Sequence, residues 1–161
     1  MKEAISNSLI LSLVIIFLVI FIILFAGSTA YSKAFKVKNR IISIIERHER
    51  TVYYSGVNNA EVLDEIEKAL SDAGYTVVSG NDTKCSNAMK RRYANTNKTY
   101  NVVNTGSSTY RYCIAEFYDE TTKMQGKYYA VITYMYFEIP IIGARLEFPV
   151  YGETKTLGIA Y

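Results

Sequence analysis

Hydrophobic residues form one long run near the start of the chain. From Leu9 to Ala26 the sequence reads LILSLVIIFLVIFIILFA, in which Ser12 is the only polar residue and no residue is charged. A run of about 18 apolar residues is long enough to cross a bilayer. A backbone in lipid must satisfy its own hydrogen bonds, and a single uninterrupted segment can do so only as a helix. The pattern therefore predicts a transmembrane helix.

Two other interpretations of this run remain open. Ser28, Thr29 and Ala30 are small residues at the offsets of a secretory cleavage site. However, the run is longer than the 7 to 15 residues of a typical signal core, and the only basic residue before it, Lys2, is offset by Glu3. The second interpretation, a helix buried within a soluble domain, would need about 27 Å of core on every side, which is more than a domain this small supplies.

An amphipathic pattern continues beyond the apolar run. One face is apolar at spacings of three and four: Ala34, Val37, Ile41, Ile44 and Ile45. The opposite face is polar: Lys36, Lys38, Arg40, Glu46, Arg47 and Arg50. These patterns predict one continuous helix from about Glu3 to Arg50. We divide the chain into a transmembrane or assembly helix (1–30), its amphipathic continuation (31–50) and a globular domain (51–161).

A second helix is predicted from capping signals. Asn58 or Asn59 serves as the N-cap, Glu61 lies in the first turn, and Gly74 follows the last turn. Its expected core face consists of Val62, Leu63, Ile66, Ala69, Leu70 and Ala73, and its acidic residues are expected to be solvated.

The rest of the chain is rich in β-forming residues. We expect a short strand at 75–78 and a long loop at 80–108, followed by antiparallel strands at 110–118, 127–138, 144–151 and 154–161. Both alternating sets of residues in the strand at 127–138 are mostly apolar or aromatic, so the sheet should be covered on both faces. The long helix can cover one face, and another subunit or the polar tips of tyrosines must account for the other. The predicted fold class is α+β.

Composition and charge narrow the chemistry. The 161 residues carry a net charge of only +3, so nucleic-acid binding is not expected. Lys90, Arg91 and Arg92 are more simply interpreted as solvated residues of a polar loop. His48 is the only histidine and is expected to be exposed. No metal-ligand spacing, phosphate-binding loop or catalytic constellation is recognisable, so we expect no enzyme activity, cofactor or metal.

The two cysteines bear on the orientation of the chain. Lys33, Lys36, Lys38 and Arg40 follow the apolar run, and the positive-inside rule would place them in the cytoplasm. In contrast, Cys85 and Cys113 suit a disulfide in an oxidising compartment, although two buried free thiols are the alternative. A bridge would close a loop of about 28 residues and contribute roughly 3 to 4 kcal/mol. We therefore expect a single-pass protein of the cytoplasmic membrane, with the N-terminus on the cytoplasmic side and the domain outside.

This organisation resembles the type IV pilin class, and most closely the proteins of tight-adherence pilus systems, including their TadE-like pseudopilins. The segments that carry the resemblance are IISIIE at 41–46, residues 59–75, and FEIPIIGARLEFPVYGETKT at 137–156. The resemblance implies a protein that is held in the membrane and then passed by an assembly machinery into a helical filament of identical subunits. The apolar helices would form the filament core, and the finished filament would lie at the cell surface and serve adhesion.

The same resemblance suggests which residues act in assembly, namely Glu3, Leu9, Ile15, Phe17, Phe21 and Leu24. Pilins usually carry a glutamate at the fifth position of the mature chain, after a cleaved basic leader. Here the acid is Glu3, and no such leader precedes it. Cleavage of a leader is therefore left open, and Glu3 either pairs with the N-terminal amine of a neighbouring subunit or is an interfacial acid without a role in assembly.

Two hypotheses follow. The first is a major or minor structural subunit of a pilus-like surface filament. The second is a single-pass membrane-anchored module for extracytoplasmic binding or adhesion, with the predicted loop at 80–108 as its recognition surface.

Overall fold

The computed structural model describes residues 2–48, 53–54, 57–58, 60–77, 83–96, 98–104, 106, 110–119, 126–138 and 145–158. These residues form three helices, α1 (Lys2–His48), α2 (Ala60–Asp72) and α3 (Thr83–Tyr93). The strands are β1 (Tyr53–Tyr54), β2 (Val57–Asn58), β3 (Tyr100–Asn104), β4 (Tyr112–Asp119), β5 (Gly126–Glu138), β6 (Arg145–Glu153) and β7 (Leu157–Gly158). The α+β prediction is confirmed.

Helix α1 is a single unbroken helix, as the continuous pattern predicted. Its apolar stripe is buried against the domain, and each of Ala34, Val37, Ile41, Ile44 and Ile45 is no more than 2% exposed. Further back, the hydroxyl of Thr29 donates a hydrogen bond to the carbonyl oxygen of Phe25 at 2.9 Å. That bond gives the hydroxyl a partner within the helix itself, just beyond the apolar run.

Helix α2 ends in a glycine-dependent cap. Gly74 has a φ of 61°, a conformation that residues with a side chain rarely adopt. Its N–H donates to the carbonyl of Ser71 and the N–H of Tyr75 to that of Leu70, the bond pair of a Schellman motif. The predicted core face is confirmed for most of its members, since Val62, Ile66 and Leu70 are buried and Leu63 and Ala69 are half-buried. Ala73 is exposed because the helix ends at Asp72.

The main sheet is antiparallel with the strand order β3-β4-β5-β6, and β7 also pairs with β5. The last two strands were predicted to be separate, but both lie along the same edge of β5. Between them, Thr154 bridges the gap, because its N–H donates to the carbonyl of Tyr129 and its hydroxyl accepts the N–H of Tyr129, both at 2.9 Å. β6 and β7 therefore act as one interrupted edge strand.

Helices α1 and α2 cover one face of this sheet. The Thr133 hydroxyl of β5 donates to the carbonyl oxygen of Ala34 in α1 at 3.0 Å. On β6, a Cβ at Gly152 would lie 2.6 Å from Cδ of Lys38, so the missing side chain allows α1 to approach the strand closely. α2 lies beside α1 and reaches the sheet near Tyr112, which is paired with Thr133 and points to the same face.

Helix α3 lies on the opposite face of the sheet, which corrects the prediction of a loop in this part of the chain. Residues 80–108 were expected to form a loop, but within the described residues they contain α3 and β3. α3 contacts the side of the sheet that carries Cys113 and Phe117, through the Cys85–Cys113 disulfide and a ring contact between Tyr93 and Phe117 at 4.7 Å. The chain's own helix therefore lies on the second face, where the Tyr151 hydroxyl of β6 also donates a hydrogen bond to the carbonyl oxygen of Ala88 in α3 at 3.2 Å.

The strand predicted at 75–78 is not formed at Tyr75–Val77, and Val78 lies outside the described residues. Tyr75 is instead a buried link between segments. Its hydroxyl donates to the carbonyl of Arg111 at 2.8 Å and accepts the N–H of Tyr134 at 2.9 Å. The N–H of Arg111 in turn donates to the carbonyl of Val77. Residues 75–77 are therefore attached to the sheet mainly through the Tyr75 side chain. They do not form the series of backbone hydrogen bonds that a strand would form.

Candidate functional site: the apolar half of α1 and its junction with the domain

The apolar half of α1 extends away from the domain. The predicted assembly residues Leu9, Ile15, Phe17, Phe21 and Leu24 are between 53% and 67% exposed. An apolar surface of this extent is unfavourable in water and marks contact with lipid or protein. Glu3 belongs to α1, but its side chain lies outside the described residues, so its role stays a prediction.

This half of the helix has the properties of a membrane span. The helix from Ser8 onward contains a window with a mean hydropathy of 3.5, and none of that window is buried within the chain. By length and composition, α1 is a candidate single-pass membrane anchor.

Burial begins abruptly at Ala34, and the basic residues at this boundary have different roles. Lys33 donates a hydrogen bond from Nζ to the carbonyl oxygen of Gly74 at 3.2 Å, at the C-terminal end of α2. Lys38 was predicted on the polar face, but only 7% of it is exposed. Its ammonium lies 4.1 Å from the centre of the Phe35 ring, and burial lowers its pKa. Lys36 and Arg40 are exposed. Two of the four charges that determine the positive-inside prediction therefore contribute to the fold.

A groove opens where α1 leaves the domain. It has a volume of about 420 Å³ and a largely apolar lining. One wall consists of α1 residues that include Ala26, Ala30 and Ala34, and the other consists of residues 75–77 and 134–136. Small residues at intervals of four let another backbone approach a helix closely. The spacing of these alanines is visible in the sequence, but the groove was not predicted because the opposite wall comes from distant segments of the chain.

The predicted disulfide between Cys85 and Cys113 is present, with its Cα atoms 5.8 Å apart. Both cysteines are buried. The bond joins α3 to β4 and so fixes the helix to the second face of the sheet. Its presence fits a domain that folds in an oxidising compartment.

An ionic cluster also attaches α3 to the sheet. The carboxylate of Glu147 on β6 pairs with Lys84 of α3 at 2.7 Å and with Arg111, which precedes β4. Partial burial acts to raise the pKa of Glu147, but the hydrogen bond from Lys84 and the charges of Arg111 and Lys84 outweigh it and hold the pKa below its usual value. The carboxylate is therefore ionised at neutral pH.

A buried acid was missed by sequence reasoning. Glu116 on β4 is 1% exposed, on the face covered by α1 and α2. Its carboxylate accepts hydrogen bonds from Lys127 at 2.9 Å, from the Tyr118 hydroxyl at 2.8 Å and from the Tyr129 hydroxyl at 3.1 Å. Burial acts to lower the pKa of Lys127, but the bond to Glu116 reverses this and raises the pKa overall. The satisfied carboxylate has a structural role in the core.

His48 was predicted to be exposed, but it is half-buried. Its Nε2 lies 2.6 Å from a carboxylate oxygen of Glu65 on α2, and Arg47 pairs with the same carboxylate. These contacts fix the end of α1 to α2. Within the part of the chain that the structure describes, no group of three or more His, Cys, Asp or Glu residues could hold a metal ion.

Comparison with known proteins adds no assignment. No protein-family model matches the chain, and neither a curated protein nor a solved structure is significantly similar to it. The geometry of α1 is therefore the feature on which a functional argument can be built.

Proposed function

We propose that this protein is a structural subunit of a type IV pilus-like surface filament. Before assembly the apolar half of α1 holds it in the cytoplasmic membrane as a single-pass protein, with the domain outside. The observation that carries the proposal is the division of α1 into an apolar half that no other described residue covers and a half that is buried against the sheet without an intervening break.

The form of α1 favours a filament over a simple tether. A tether needs only a spanning segment and can join its domain through a flexible linker. In this chain the helix enters the core directly through Ala34, Val37 and Ile41. Such a helix holds the domain at a fixed position relative to the apolar half, which is the requirement for packing many helices into one core with the domains outside.

The rival hypothesis of a membrane-anchored binding module has lost part of its support. It placed recognition in a long loop at 80–108, and much of that segment is occupied by α3 and β3. The disulfide supports the placement of the domain outside the cytoplasm in both hypotheses. The experiment must therefore distinguish a filament core from a lipid-embedded anchor.

Replacing Phe17 and Phe21 together with Ala provides that distinction. Both side chains are exposed on the apolar half of α1. Lipid accepts the shortened side chains because the segment remains apolar, whereas a packed helical core loses contacts at each site. We expect the variant to remain in the membrane fraction at the wild-type level, while the yield of filaments falls at least about tenfold.

The measurement is electron microscopy of material sheared from cells, with membrane fractionation of the same cultures. The domain, which is distant from both substitutions, should retain its disulfide on a non-reducing gel. If wild-type cells yield only detergent-soluble monomer, the filament function is wrong and the anchored module takes its place.

A further inference from the structure

Helices α2 and α3 carry opposite charges on their exposed sides. The α2 surface, which we define as Glu61, Asp64 and Asp72, is acidic, although Lys68 also lies on it; all four side chains are exposed. The α3 surface, which we define as Lys90 and Arg91, is basic and exposed. Acidic residues outnumber basic ones on α2, and all the charged residues of α3 are basic.

Among the described residues, these charges have no ionic partner. Other charged residues nearby do have partners: Lys84 pairs with Glu147, Glu65 pairs with Arg47, and the guanidinium of Arg92 lies over the Tyr151 ring. In contrast, none of the residues that define the α2 and α3 surfaces forms an ion pair with another described residue. Their charges are therefore available to another molecule.

The two surfaces lie on opposite sides of the sheet. α2 lies beside α1 on the face of Tyr112 and Thr133, whereas α3 is joined to Cys113 on the other face. One copy therefore cannot neutralise its own α2 surface with its own α3 surface. A second copy placed head to tail can, and it then presents an unused α3 surface to a third.

We propose that the α3 surface of one copy binds the α2 surface of the next. This contact deepens the filament proposal, on which it rests, by naming a contact between globular domains that is separate from the apolar core. Because two different surfaces meet, the contact is heterologous and continues from copy to copy. Charge complementarity would fix the register of neighbouring domains and exclude reversed pairings.

A second copy fits the α3 surface better than other anionic partners do. The same chain supplies the complementary acidic surface at the same concentration. Two free basic side chains are few for a nucleic-acid or anionic lipid surface, where larger clusters are typical. The exposed Lys36 and Arg40 on α1 form a second basic site, and they provide a matched control.

The test uses two versions of the full-length chain, expressed together in cells. The first carries a photo-crosslinking amino acid at Asn87, an exposed position on α3, and the second carries an epitope tag. Lys90→Glu and Arg91→Glu reverse the α3 surface in the first version. Asp64→Lys and Asp72→Lys reverse the α2 surface in the second, and Glu61 is retained because an acid in the first turn favours the helix.

We expect the yield of crosslinked pairs to fall at least about tenfold when either surface alone is reversed, because like charges then meet. When both are reversed the complementarity returns, and the yield should recover to within about threefold of the wild type. Lys36→Glu with Arg40→Glu in the second version should leave the yield unchanged. Mass spectrometry should locate the crosslinks on α2.

Failure of this contact is distinguishable from failure of the filament function. Normal filaments in the microscope, together with crosslinks outside α2 or no recovery in the double reversal, would overturn the contact and leave the filament intact. A yield that responds to reversal of α3 but not of α2 would place the α3 contact on a different region of the second copy and would overturn the proposal. Disulfide formation on a non-reducing gel checks that each variant folds.

Discussion

At the scale of single residues, polar side chains link the layers of the domain. Thr133 bonds the sheet to α1, and Glu147 bonds it to α3. Both lie on strands whose alternating pattern reveals a buried face but not the partner across it. Such links depend on which helix crosses which strand, so they could not be predicted from the sequence.

Glu147→Gln tests the link to α3. The change retains the shape of the side chain but removes the charge that pairs with Lys84 and the largely buried Arg111. We expect a loss of about 1 to 3 kcal/mol in the free energy of unfolding at pH 7, measured by denaturant titration. Asp64→Asn, at an exposed site of α2 beyond its first turn and without an ion pair among the described residues, should change stability by less than about 0.5 kcal/mol.

The pH dependence gives this prediction a sign. The pKa of Glu147 in the folded state lies below its ordinary value of 4.5. Its stabilising effect is therefore complete above that value and is lost as the pH falls through the folded pKa. The difference between wild type and Glu147→Gln should shrink toward zero in that acidic range, and a constant difference would contradict the ionic role.

Lys38 and His48 show why residue-level predictions failed on α1. Lys38 was predicted on the polar face of the helix, and His48 was expected to be exposed because it stands in a polar stretch beside Arg47. Lys38 is covered because Gly152 lets the strand come close, and His48 because α2 brings Glu65 to it. Neither neighbour is near in sequence.

At the scale of elements, the long helix and the second helix were predicted well because their patterns are strong and local. α3 was missed, although Cys85, Ala88 and Met89 lie at helical spacing and are all buried. Its remaining residues are mostly polar, and the Asn- and Ser-rich sequence around it is typical of loops. A short polar helix of this kind is held by its contacts with the sheet more than by its own propensity.

The disulfide should matter most for this element. Replacing Cys85 and Cys113 together with Ala removes the covalent link between α3 and β4 while leaving small apolar side chains. We expect a loss of roughly 3 kcal/mol in the free energy of unfolding. Hydrogen exchange should accelerate in α3 more than in β5. Equal acceleration in both elements would show that α3 is not separately dependent on the bond.

At the scale of the molecule, the fold class followed from the order of patterns along the chain. The layout of one long helix, a second helix and a meander of strands was sufficient to predict α+β. The cover on the second face of the sheet and the groove beside α1 were not predictable, because both arise from contacts between distant segments. The opposed charges of α2 and α3 were visible as residues, but their placement on opposite faces depends on the fold.

A truncated chain tests the division of α1. A fragment of residues 26–161 retains the buried stripe and loses most of the exposed apolar surface. We expect it to be a soluble monomer with a cooperative thermal transition in circular dichroism. A fragment of residues 42–161 lacks Ala34, Val37 and Ile41, whose burial is worth several kcal/mol of the 5 to 15 typical of a domain. It should fail to fold, and a folded shorter fragment would contradict the role of the stripe.

Because α1 is unbroken, it also determines the rotational orientation of its apolar half relative to the domain. Successive residues of an α-helix are rotated by about 100°, and the helix continues from its apolar half into a stripe that is locked against the sheet. The direction in which each side chain of the apolar half points around the helix axis is therefore fixed relative to the domain. One residue inserted between the apolar half and the buried stripe would rotate the apolar half by more than a quarter turn relative to the domain. Seven inserted residues would return it almost to its original orientation. The helix thus couples the rotational orientation of its exposed apolar half to that of the globular domain.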